Sequence, residues 1–134
     1  MARVTGIGGV FFMSSKGKGS ELADWYRKHL GIDLNDWGGA ALEWKDDTAE
    51  DGGMTVWHVA DHDSQWFSPG KSRFMINYRV DNMAELIEQL AAGGVEIQHG
   101  PEYHENGVFA WVMDPEGNKV ELWEPMLWDD KNKR

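Results

Sequence analysis

The stretch Asp114-Pro-Glu-Gly-Asn-Lys-Val-Glu-Leu-Trp-Glu-Pro125 decides how this chain is read. Pro115 presets φ for a tight turn, Gly117 can take positive φ, and Asn118 tolerates the left-handed region, so the chain reverses here. The residues that follow alternate. Val120 and Leu122 point to one face of a strand, and Lys119, Glu121 and Trp123 to the other, because side chains along a strand alternate. The apolar pair requires a core. Glu121 therefore faces either water or a cleft, and which of these it faces is the functional question.

Working outward, Val108–Met113 and Val95–Gln98 read as the two preceding strands. Before them stands a strand–helix pair. Ile76, Tyr78 and Val80 alternate with Met75, Asn77 and Arg79. Asn82 with Glu85 then makes a capping-box variant ahead of the apolar stripe Met83, Leu86, Ile87 and Leu90, which Gly93-Gly94 ends. The first half carries a similar order. An apolar run, Ile7–Met13, precedes Ser20 as a candidate N-cap. Leu22, Trp25, Tyr26 and Leu30 follow at helical spacing, and Gly31 suits the residue just past the helix. Ala41–Trp44 and Met54–Ala60 read as further strands, and Asp51-Gly-Gly-Met-Thr-Val-Trp-His58 can be laid on Glu116–Trp123. The chain thus reads as strand, helix, strands, written twice. An α+β fold in a single domain over 1–134 is expected, with modules at 1–63 and 73–126, a polar linker Ser64–Ser72 and a charged tail at 127–134.

Composition removes several function classes. The chain has no cysteine, which excludes disulfides, thiolate catalysis and cysteine-ligated zinc. Its 23 acidic against 13 basic residues, net −10, disfavour nucleic acid and anionic membranes as partners, because both are polyanions. No apolar run approaches a membrane span and no signal pattern opens the chain, so a cytoplasmic protein is expected. There is no Gly-x-Ser-x-Gly elbow and no phosphate loop.

Three places together resemble the vicinal oxygen chelate superfamily, which includes glyoxalase I, bleomycin resistance proteins and extradiol dioxygenases. They are Ile7-Gly-Gly-Val-Phe-Phe with Leu22-Ala-Asp-Trp-Tyr-Arg-Lys-His-Leu-Gly-Ile32, Met75-Ile-Asn-Tyr-Arg-Val-Asp-Asn-Met with Leu90-Ala-Ala-Gly-Gly-Val95, and the closing Asp114–Pro125. The resemblance, to a small bacterial-type branch, implies two βαβββ modules curling around a cleft, in proteins that often pair as homodimers. It also implies a divalent metal in the enzymes, held by His or Glu on the first and last strands of each module. In this chain those positions fall on Gly9, Val56, Met75 and Glu121. Only Glu121 is a donor, and His58, two residues beyond Val56 on the same face, would be the nearest second one. No metal and no other cofactor is therefore expected, with a divalent metal as the lesser alternative.

On these face assignments the cleft is lined by Phe11, Met13, Val56, His58, Met75, Asn77, Trp111 and Trp123, with Glu121 as the one carboxylate. A mostly apolar pocket with a few polar groups is what small-molecule sites look like. Glu121 is the candidate catalytic residue, as a general base in a desolvated setting, or else the partner of a cationic ligand. The expected function is binding of a small neutral or cationic molecule in an aromatic cleft, as bleomycin resistance proteins do. The alternative is a metal-dependent lyase, isomerase or dioxygenase with a rearranged ligand set. His99 and His104 are expected in a loop.

Overall fold

The computed structural model describes residues 1, 3, 7–15, 17–36, 38–47 and 53–126. Helix α1 spans Gly19–Leu30, and a single 3-10 turn covers Trp44–Asp46. Then come β1 (Ile76–Arg79), α2 (Met83–Ala92), β2 (Ile97–His104), β3 (Gly107–Met113) and β4 (Lys119–Pro125). The charged tail expected at 127–134 lies outside the described residues.

The four strands form one sheet in the order β1-β4-β3-β2. β4 pairs parallel to β1 and antiparallel to β3, so the last strand is inserted between the first and third of the unit. This is the βαβββ module expected for the second half. The architecture is α+β, and the sheet is not closed into a barrel.

Both helices cover one face of this sheet. α1 buries Leu22 and Tyr26, and α2 buries Met83 and Leu90, against Val108, Ala110 and Val112 of β3 and Val120 and Leu122 of β4. Leu90 and Leu122 are fully enclosed. Burying a side chain of that size contributes about 1.5–3 kcal/mol. α2 begins as expected: the Asn82 side chain accepts the Glu85 N–H at 3.0 Å. α1 does not. Its N-cap is Lys18, with no side-chain capping bond, and Ser20 already lies inside the first turn. Gly31 closes the helix in the left-handed region at φ 71°, where glycine avoids the Cβ clash.

The segments expected as strands of the first half run differently. Ile7–Met13 and Met54–Ala60 carry no strand, and Trp44 starts the 3-10 turn. Their large apolar side chains stand in solvent: Phe11, Met13, Trp44, Val56 and Trp57 are all exposed. The physical reason is pairing. An extended segment keeps strand geometry only where a neighbour pairs with its N–H and C=O groups, and among the described residues these find no ladder. From the first half it is the helix that is fixed to the sheet.

The turn that opened the sequence reading is a lock between the halves. Asp114, 4% exposed, takes four hydrogen bonds. Oδ1 accepts the N–H groups of Glu116 and Asn118, both at 2.9 Å. Oδ2 accepts Asn118 Nδ2 at 2.7 Å and the Tyr26 hydroxyl of α1 at 2.8 Å. Burial, and then this hydrogen bond to Asp114, push the Tyr26 hydroxyl well above its ordinary pKa.

Candidate functional site

The uncovered face of the sheet carries the polar chemistry. Because Val120 and Leu122 point to the helices, Lys119, Glu121 and Trp123 of β4 point away from them, as the alternation of the closing stretch requires. The register puts Glu121 between Asn77 of β1 and Trp111 of β3. Asn77 Nδ2 donates to Glu121 Oε1 at 2.7 Å, and the Trp111 indole N–H donates to Oε2 at 2.9 Å. The carboxylate is only 7% exposed. A buried anion is tolerated when its lone pairs are occupied, and here two neutral donors occupy them.

The cations of the same face are engaged elsewhere. Lys119 Nζ donates to the carbonyls of Trp66 and Ser68 at 2.8 and 3.0 Å, and lies 5.8 Å from the centre of the Trp111 ring. Arg79 is held by Asp47 and by the Met54 carbonyl. Asp47 and Met54 are thus tied to the sheet at Arg79 on β1, and Trp66 and Ser68 at Lys119 on β4, near opposite ends of the Glu121 face.

Beside Glu121 stands a row of near-parallel rings. Phe109 and Trp111 lie 6.2 Å apart at 17°, and Phe109 and Trp123 5.8 Å apart at 10°. Trp123 is anchored at its far end by an N–H to the Asn106 carbonyl, 2.9 Å. That contact needs Gly107. A Cβ there would meet the Glu124 carbonyl oxygen at 2.2 Å and Trp123 Nε1 at 2.7 Å, at a φ of +138°.

Beyond the rings, on β2, stand His99, Glu102 and His104. The expected loop is in fact strand. His99 pairs opposite Trp111, Glu102 opposite Phe109 and His104 opposite Gly107, with a register shift between His99 and Glu102. His104 Nε2 lies 3.0 Å from Glu102 Oε1, and His99 Nε2 is hydrogen-bonded to Oε2. These bonds, that of His104 first, hold the Glu102 carboxyl below the usual carboxylate range.

Of the residues expected at the cleft, Glu121, Asn77, Trp111 and Trp123 come together on this face, and Met75 lies half-buried one residue before β1. Phe11 and Met13 are exposed, and their neighbours Phe12 and Ser15 anchor on Tyr26 and Glu116 instead. Val56 is exposed, and the His58 ring packs against Trp66. Phe109 and the β2 trio escaped the sequence reading. Phe109 was legible as the residue two before Trp111 on one strand; the trio was hidden by Gly100-Pro101, which reads as a break. Two surface grooves, of about 300 and 810 Å³, lie by the Asp114–Gly117 turn and α1, and Glu121 lines neither. Asp61, His62 and Asp63, all exposed, bring donor atoms within 4.8 Å of one another.

A family match and one solved structure agree with this architecture. The glyoxalase-like domain family matches residues 15–123. A virulence protein from Salmonella typhimurium shares the fold at a TM-score of 0.50 and 11% identity, over 80% of this chain and 87% of that one. TnmS3, an antibiotic binding protein from Streptomyces sp. CB03234, is 23% identical over 84% of this chain and 88% of that one, at a TM-score of 0.49. A glyoxalase family protein from Bacillus anthracis is 25% identical, but this chain spans only 50% of its length, with 47% of this chain covered and a TM-score of 0.37. No curated protein matches the sequence significantly. Among the described residues, no helix is long and apolar enough to cross a membrane. With 109 consecutive residues inside the family's match, from the first turn-anchoring serine to Trp123, the chain belongs to the glyoxalase-like domain family.

Proposed function

We propose that the chain binds a small neutral or cationic molecule at the Glu121 face, with no metal at the position used by the superfamily's enzymes, and that it does so as a homodimer. One observation carries this reading. Glu121 is a buried carboxylate whose hydrogen bonds come from an amide and an indole, while Lys119 and Arg79 are committed to other partners. An anion beside aromatic rings and without a cation of its own attracts one, or a strong neutral N–H or O–H donor.

The donor set speaks against a metal at this place. Gly9 and Val56 offer no side-chain ligand and Met75 only a soft thioether, His58 is turned to Trp66, and both Glu121 oxygens are hydrogen-bonded. A single carboxylate does not hold a catalytic ion without further N or O donors. The homodimer reading rests on the exposed Phe11, Met13, Val56 and Trp57 in segments that carry no ladder among the described residues, together with β1, which among them is paired on one side alone. Large exposed apolar patches mark interaction surfaces.

Three probes with one ring frame and different charge test it: acriflavine (cation), acridone (neutral) and acridine-9-carboxylate (anion). Acriflavine and acridone are expected to raise the melting temperature and to quench tryptophan fluorescence, and the anion is not. Glu121→Gln should weaken acriflavine by about tenfold, the equivalent of about 1.4 kcal/mol, and leave acridone unchanged. If none of the three binds, or if the protein retains a stoichiometric metal that Glu121→Gln abolishes, the reading fails.

A further inference from the structure

We propose that His99, Glu102 and His104 form a second site, one that takes a divalent transition-metal ion of the zinc, nickel or cobalt type. The site does not involve Glu121, and its existence does not depend on the ligand reading above.

The backbone builds it. From His99 to Glu102, β2 advances three residues, while β3 opposite advances two, from Trp111 to Phe109. The extra residue is a bulge, and it reverses the alternation of side chains. In a regular strand His99 would face the side opposite to Glu102 and His104. With the bulge, all three donors share the open face.

Packing then holds the rings. His99 lies 5.3 Å from the Trp111 ring and His104 lies 5.6 Å from Phe109, centre to centre. Between them Glu102 offers one oxygen to each imidazole. Two imidazoles and one carboxylate are a donor set that suits borderline divalent ions and leaves a coordination position open. The carboxylate is already ionised, and the net charge of −10 concentrates cations around the chain.

The two imidazole nitrogens rest on different oxygens of Glu102. The ion takes the place of the protons they share with the carboxylate. The side chains, 62% (His99), 36% (Glu102) and 52% (His104) exposed, turn inward to meet it.

Titration of the whole chain with Zn²⁺ and Ni²⁺ by calorimetry, and with Co²⁺ by visible absorption, tests this. One ion per chain is expected. Ni²⁺ should quench part of the tryptophan emission, because Trp111 adjoins His99. His99→Ala/His104→Ala and Glu102→Gln should each lose stoichiometric binding, whereas Asp61→Asn/His62→Ala/Asp63→Asn and Glu121→Gln should keep it. His104→Asn, a milder change, should weaken binding at least tenfold while its melting temperature without metal stays that of the wild type. Absence of saturable binding by the wild type overturns the proposal. So does binding that survives in the β2 variants, or binding that disappears with Asp61–Asp63.

Discussion

Trp111 donates its indole N–H to Glu121 from the directly opposed position on the β3–β4 ladder, at 2.9 Å, and both residues are buried. Cross-strand register therefore does what a charged partner does elsewhere: it keeps a carboxylate solvated inside the protein. Trp111→Phe preserves most of the apolar surface and removes the donor. It should cost about 1–3 kcal/mol, the penalty of leaving a buried acceptor unmet. Urea unfolding of the two proteins measures the difference, and equal midpoints would show that water replaces the indole at no cost.

Gly107 is expected to be intolerant of any side chain. Gly107→Ala places a Cβ 2.2 Å from a backbone oxygen at a φ that L residues avoid. A loss of about 1–3 kcal/mol is expected from the backbone strain alone, with Trp123 displaced from Asn106. Near-ultraviolet circular dichroism should report the disturbed Trp123 environment.

Alkaline stability follows from the two buried tyrosines. Burial raises Tyr26, and raises Tyr78 to about 12 from the ordinary 10.0. A phenol whose folded pKa lies above its unfolded one binds its proton more tightly when folded. Its contribution is complete below pH 10 and is lost as pH rises from 10 through about 12 for Tyr78. Stability should fall across that window, and Tyr26→Phe should make the fall shallower. A slope unchanged in Tyr26→Phe would mean that the fall arises elsewhere.

Glu102 gives the opposite sign. Its two imidazole partners depress its pKa, so its contribution is present above the ordinary value of 4.5 and is lost as pH drops through the lower folded value. Acid unfolding of Glu102→Gln should show a weaker pH dependence in that range. The site is half-exposed, so the effect should be small.

Self-association is checked by sedimentation equilibrium. The wild type should have the mass of two chains, and Trp57→Lys, which alters an exposed residue of an unpaired segment, should shift the equilibrium toward one. A wild type with the mass of one chain at all concentrations would contradict the homodimer reading.

The closing stretch was legible because turn chemistry and alternation act locally. Pro115, Gly117 and Asn118 specify the reversal, and Val120 and Leu122 choose the face, so the off-core position of Glu121 followed without any tertiary knowledge. Asn82 and Gly31 were legible for the same reason. What escaped depended on partners. The apolar pattern of Val95–Gln98 stops before Gly100-Pro101, residues that often interrupt strands, yet a bulge lets β2 run on to His104. Ile7–Met13 and Met54–Ala60 have strand-like sequences, but a strand also needs a neighbour with free N–H and C=O groups, which no local pattern specifies. The residues assigned to the cleft from those segments shared that fate, while those on β1, β3 and β4 converged.

The hydroxyl that Tyr26 lends to Asp114 has a consequence for how the gene can be divided. α1 belongs to the first half by sequence, yet it covers the sheet of the second. A fragment beginning in the linker would strip Leu22 and Tyr26 from the core and remove one of the four donors of a buried aspartate. α1 and the sheet are therefore not separable parts: neither can be excised, swapped or expressed alone without opening the core they share.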